Sequence, residues 1–232
     1  GGRRMRARAS VPLPTAVLLA VGSLLGGMAL RGFVAEDHRI SAPSGTASAD
    51  SQVEPSAGPW AVEDGIPVGF AHTEEGATAA AVAYTTTGQV MLDLAPTEVA
   101  TAVRRYASTE TAEQQIVDTT AQLAGVRDAL ADGSGRTRYV QAVLASRLDA
   151  YSNDRARVAV WSVGVLWRSG AADPQAGWVT STYDLVWEDD TWKVWAHTSS
   201  SGPSPAPNAG TPPVDAAELD RLLTGFESWR PR

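Results

Sequence analysis

The chain has no cysteine and one lysine, Lys193, among 232 residues. The first absence excludes a disulfide scaffold, a thiol nucleophile and a lipid-modified cysteine anchor, and leaves the redox compartment undecided. Histidine is nearly absent too. His38, His72 and His197 are the only three, and no two stand at metal-ligating spacing. Neither G-x-S-x-G nor a glycine-rich loop ending in Lys-Ser/Thr occurs, so the signatures of serine hydrolases and phosphate-cradling loops are missing. No cofactor and no metal is expected. Positive charge is scarce beyond the N-terminus: all 26 acidic residues follow Arg31, against 14 basic ones, a net charge of −12. A body so acidic repels phosphate backbones, and nucleic acid is not expected as a partner.

What is present begins with a charge step. Arg3, Arg4, Arg6 and Arg8 precede Val11–Leu30, a run with no charged side chain. Those twenty residues would span ~30 Å as a helix, the hydrocarbon thickness of a bilayer. Glu36 and Asp37 follow. The positive-inside rule then makes residues 1–10 a cytoplasmic tail, residues 11–31 a transmembrane helix, and everything later extracytoplasmic. A cleaved signal peptide is the competing reading. The length of the run, the lack of a clean A-x-A triplet close behind it and Arg31 directly after it favour an anchor. Residues 32–64 are rich in Ser, Ala, Pro and acid and cannot bury enough surface to offset their ordering entropy. They read as a disordered tether, with Trp60 the one residue expected to dock.

Residues 65–200 read as the folded domain. Thr73 followed by Glu74 and Glu75 supplies a helix cap and two acids at the positive end of the helix dipole, and Ala77, Ala80, Ala81 and Tyr84 share one face. Gln89–Leu94 can continue this helix. A second helix is expected over Thr97–Ala107, with Val99, Val103 and Tyr106 inward. A third runs over Thr111–Ala131, opened by a Thr111-x-x-Gln114 capping box and striped by Ile116, Leu123, Val126 and Leu130. The period then changes to two, and Arg138–Tyr151, Ala156–Arg168, Gly177–Glu188 and Thr191–Ser199 read as four strands. Asp189-Asp190 is short enough for a tight hairpin. Residues 201–213 form a Pro-rich linker, and residues 214–229 form an amphipathic helix. Its stripe, with Leu222, Phe226 and Trp229, must be covered by the domain or by a partner.

Helices followed by an antiparallel meander give an α+β class: helices packed on a curved four-stranded sheet behind a transmembrane helix. This order resembles the nuclear transport factor 2-like, or cystatin-like, cone. The stretch GIPVGFAHTEEGATAAAVAY, Gly65–Tyr84, resembles the opening of a family of uncharacterised actinobacterial membrane-anchored proteins, and the likeness extends to about Trp229. Topology and fold together are also architecturally similar to the VirB-type and TcpC-type scaffold proteins of conjugation and secretion machines, without a shared short motif. The resemblance implies a non-enzymatic single-pass membrane protein of a cell-envelope complex, with protein partners and a homo-oligomer among the options. A domain binding a small ligand or a wall polymer, and a cone-fold enzyme, are the alternatives.

If the cone held chemistry, its candidates would be Asp149, Tyr151, Tyr183, Asp184 and His197, with Tyr183, Asp184 and His197 as the candidate cavity. Strict alternation puts His197 on the face of Lys193 and Trp195, and Asp184 on a threonine-rich face that solvent would reach. A catalytic acid needs an apolar surround that raises its pKa. Enclosure of Asp184 or His197 beside Tyr183 would favour an enzyme. The eight tryptophans fall mostly in the strands, as packing or as a sugar or peptide platform.

Overall fold

A computed structural model describes residues 57–131, 136–168, 172–206 and 213–228. The expected cytoplasmic tail, transmembrane helix and most of the tether lie outside the described residues, as does Trp229. Among the described residues no helix is long and apolar enough to cross a membrane.

The last residues of the expected tether are folded. Ala61–Glu63 (β1) pairs antiparallel with Ile66–Val68 (β2). Ahead of this hairpin, the Ala57 carbonyl accepts from Ala71 N–H at 3.1 Å. Gly58 has φ of +94° and lies so close to the Gly69 carbonyl and Phe70 that a Cβ would collide with backbone. The folded residues therefore begin ahead of residue 65, inside the stretch expected as tether. A glycine at an obligatory left-handed position and a three-residue strand leave too little apolar pattern to be read in advance.

Four helices follow. Glu74–Thr85 (α1) is capped by Thr73, whose Oγ1 accepts from Gly76 N–H at 3.1 Å. Ala77, Ala80, Ala81 and Tyr84 are wholly buried. The three alanines let α1 lie close across the sheet, while Tyr84 reaches into the core. Gly88–Met91 (α2) is a separate single turn. Pro96–Tyr106 (α3) buries Val99, Ala102, Val103 and Tyr106, and Ala112–Ala129 (α4) buries Leu123 and Val126. The capping box expected at Thr111 does not form. Thr111 Oγ1 instead lies 2.9 Å from Ser108 Oγ and accepts from Gln115 Nε2 at 2.7 Å.

The second half is one antiparallel sheet: Arg138–Ser152 (β3), Arg155–Arg168 (β4), Ala172–Glu188 (β5) and Thr191–Ser201 (β6). Asp189 and Asp190 both have positive φ, 53° and 57°, the mirror-image turn that suits the twist of a two-residue hairpin. The helices cover one face, where Val158, Val160, Tyr183, Leu185, Trp192 and Val194 join the helical stripes in a single core. Tyr84 Oη–H donates to the Trp192 carbonyl at 2.7 Å, and Trp192 Nε1–H donates to the Ala71 carbonyl at 2.9 Å. The Pro-rich linker also starts on the domain: Trp161 Nε1–H donates to the Pro203 carbonyl at 3.0 Å, and Ser204 is buried.

The C-terminal helix is about half the expected length. Ala216–Leu222 (α5) ends where Gly225 turns the chain at φ of +79°, and Thr224 Oγ1 competes for the carbonyls of Asp220 and Arg221. Glu227–Ser228 (β7) then pairs antiparallel with Ser146 and Ala145, which makes the sheet five-stranded in the order β6-β5-β4-β3-β7.

Candidate functional site

Strand geometry divides the residues that the sequence grouped. Between Val194 and Ala196 the β6 strand carries one extra residue, Trp195, opposite the Asp184–Leu185 step of β5. This bulge reverses the alternation. His197 consequently shares the helix-covered face with Trp192 and Val194, not the face of Lys193, and is 2 % exposed. Its ring lies against Tyr183, with centroids 4.6 Å apart. Its Nε2 is 3.0 Å from Ser199 Oγ, which is 2.9 Å from Ser181 Oγ. Tyr183 Oη lies 3.0 Å from Thr85 Oγ1. Burial pushes the Tyr183 phenol well above its ordinary range, partly offset by hydrogen bonds to Thr85 and Ser181. Tyr183 and His197 are thus brought together. Asp184, one residue along, is on the opposite face.

There Asp184 is not simply solvated. Arg157, on the neighbouring strand, donates through Nε at 2.6 Å and Nη2 at 3.2 Å to its two carboxylate oxygens, and this pairing raises the Arg157 pKa. A carboxylate clamped in two places is a structural partner. Asp149 is held by Arg147 Nε at 2.5 Å, and Tyr151 packs against Trp192 with ring centroids 5.9 Å apart. His72 stacks on Trp187 at 3.9 Å and contacts the Asn153 carbonyl, tying the start of α1 to the β3–β4 turn. His38 lies outside the described residues. Five of the tryptophans have separate settings among the described residues. Trp187 and Trp192 meet edge to face inside, Trp161 is covered by Pro203, Trp195 donates to Glu110 at 3.1 Å, and Trp60 is 59 % exposed.

An open feature lies elsewhere among the described residues. A groove of about 1230 Å³ lies between the outward side of α1 (Glu74, Glu75, Ala79, Ala83) and the β3 edge (Val143, Ser146). Its rims are the residues ahead of β1 and, at the C-terminal end, Gly225, Glu227 and Ser228. Of the C-terminal candidates, Phe226 is half-buried beneath Arg147, whose guanidinium carbon is 4.7 Å from the ring centroid. Leu222 remains 37 % exposed. Sequence reasoning missed Arg147, Ala145 and Ser146. Nothing in a strand's own pattern says that it will be an edge, or what will lie along it.

A long helix packed across a curved, meandering antiparallel sheet defines the class of domain, and the sequence comparison gives its family. Residues 44–211 match a family described as a domain of unknown function (DUF8175), and the chain belongs to that family. No curated protein sequence matches. Among solved structures, the intermembrane space region of chloroplast protein ARC6 is similar at 13% identity and a TM-score of 0.33, over 49% of this chain and 88% of that one. A provisionally described aromatic ring hydroxylase from Novosphingobium aromaticivorans is similar at 14% identity and a TM-score of 0.23, over 34% and 60%.

Proposed function

We propose that this protein is a non-enzymatic, membrane-anchored recognition domain, an assembly or scaffold subunit of a cell-envelope complex of the conjugation or secretion type. The observation that carries the reading is the pairing of a filled interior with a sheet edge that β7 covers only in part. The space under the sheet, where a cystatin-like cone would hold a ligand, is occupied by Tyr84, Tyr106, Leu123, Tyr183 and Trp192, all fully buried. The β3 edge and the groove beside it face outward. Protein partners suit such a surface, because exposed strand backbone is a ready template for another chain. The charge step across Val11–Leu30 supports a single membrane pass with the domain outside the cytoplasm.

The test has two parts. A reporter fused after Arg232 should be active only outside the cytoplasm, and the protein should resist carbonate extraction. In mild detergent it should migrate as a complex larger than itself, with a second protein in fixed ratio. A soluble truncated product, or a lone monomer from native membranes, overturns the reading.

A second reading has one observation in its favour. The enclosed His197–Tyr183 pair is the arrangement a cone-fold enzyme or small-ligand binder would use. His197→Gln, which keeps a hydrogen-bonding side chain, tests it. Loss of a bound small molecule or of turnover, with the melting curve unchanged, would establish that reading in place of the first.

A further inference from the structure

We propose that the β3 edge beside α1 is a strand-acceptor seat for an extended peptide of a partner protein, and that Val214–Ser228 is a displaceable occupant of that same seat. The inference rests on the recognition reading above and specifies its surface.

The chain's own C-terminal segment shows what the seat accepts. Its backbone pairs antiparallel with the strand, Ser228 opposite Ala145 and Glu227 opposite Ser146. Its aromatic side chain, Phe226, lies under the Arg147 guanidinium, and Arg147 Nη1–H also donates to the Thr224 carbonyl at 3.3 Å. Asp149 holds the other side of that guanidinium. Arg147 therefore reads an aromatic ring and a backbone carbonyl of whatever strand lies here. Such contacts ask for an extended chain with one aromatic residue, and little more.

Three features mark the present occupant as replaceable. Among the described residues it covers two positions of a fifteen-residue strand. No side chain of α5 is buried, so the helix adds little to hold the segment down. And the family domain ends at residue 211, so the seat belongs to the domain while its cover lies beyond it. The remaining chemistry points to the partner's charge. Glu74 and Glu75 line the far side of the groove, are exposed, and make no ion pair among the described residues. A partner strand carrying a basic residue toward α1 would pair with them, and the cis segment's Glu227 lacks that complementarity. The occupant that fits best is an extended segment with an aromatic residue and a nearby arginine or lysine.

The lack of native cysteine makes a clean lock available. Ser146→Cys with Glu227→Cys, at directly opposed positions, should fasten the cover when oxidised and free it when reduced. The probe is a fluorescein-labelled peptide of residues 222–232, which contains both an aromatic and arginines. It is titrated by anisotropy into the full-length protein in detergent. The reduced form should bind saturably and the oxidised form at least tenfold more weakly. Changing both probe arginines to glutamate should weaken binding several-fold. If the double variant does not fold, Phe226→Ala in the otherwise native chain serves instead, and should bind the probe several-fold more tightly because its cover is looser. Equal binding by the locked and unlocked forms overturns the proposal, as does indifference to Phe226→Ala. Covalent dimers on oxidation would also overturn it, since a second copy and not a partner would then supply the strand. Should the probe fail while the native complex persists, the seat is wrong and the recognition reading stands.

Discussion

The β6 edge of the sheet is closed by the corner between α3 and α4. Ser108 N–H and Gln115 Nε2–H both reach the Val194 carbonyl at 2.9 Å, and Thr109 N–H donates to Glu188 at 3.0 Å. Gln115 is buried, and the strand's inner side chains, Trp192 and Val194, have no exposed surface. The β3 edge is closed by a two-residue strand whose own side chains are exposed. Both devices satisfy strand backbone that would otherwise invite another chain. The difference lies in what removing them costs. Stripping the first breaks buried hydrogen bonds and opens the core; stripping the second returns a short stretch of backbone to water.

The largest effect should come from ionising the core, whose Tyr84 is bonded to Trp192 of the closed β6 edge. Burial raises the pKa of Tyr84, Tyr106, Tyr139 and Tyr183 above the ordinary value of 10.0. These phenols stay protonated in the fold after the unfolded chain has begun to lose its protons. Their contribution is fully present below pH 10 and is lost as pH rises toward the native pKa values. Each tyrosine removes about 1.4 kcal/mol per pH unit in that window, so four together approach ~5.5 kcal/mol per unit. Denaturant titrations at stepped alkaline pH measure the slope, and a flat profile to pH 12 would contradict the burial described.

Trp192→Ala removes the largest core side chain of β6 and its bond to the Ala71 carbonyl. It should cost about 3–5 kcal/mol in chemical denaturation. Gln115→Ala leaves Val194 with a single donor and should cost about 1–3 kcal/mol. Deletion of residues 213–232, at the other edge, should cost under ~1 kcal/mol, because a fully buried large side chain contributes about 1.5–3 and α5 has none. If this deletion proves as damaging as Gln115→Ala, the two edges are not of different kinds and the displaceable cover must be abandoned.

Helices α1, α3 and α4 and the four long strands were legible because each repeats its apolar period several times. One misplaced residue does not erase such a pattern. The elements that escaped are short or conditional. The residues ahead of β1 depend on Gly58 at a positive φ, and α5 was overextended because Phe226 continues a helical stripe in sequence while Gly225 breaks it in space. The candidate site was legible only in part. Phe226 was singled out and does dock, but Arg147, which receives it, looked like any strand arginine. His197 was placed on the wrong face because the bulge at Trp195 leaves no mark in a sequence read two residues at a time.

By itself the sequence determined the charge step, the α+β order and the side chains that form the core. These follow from local periodicity and composition, which act within a few residues. The tertiary structure decided which strands became edges, that Asp184 and His197 face apart, and that the C-terminus returns to β3. Those outcomes depend on register, on a single extra residue in one strand, and on pairings between residues about eighty positions apart, where no local preference reaches.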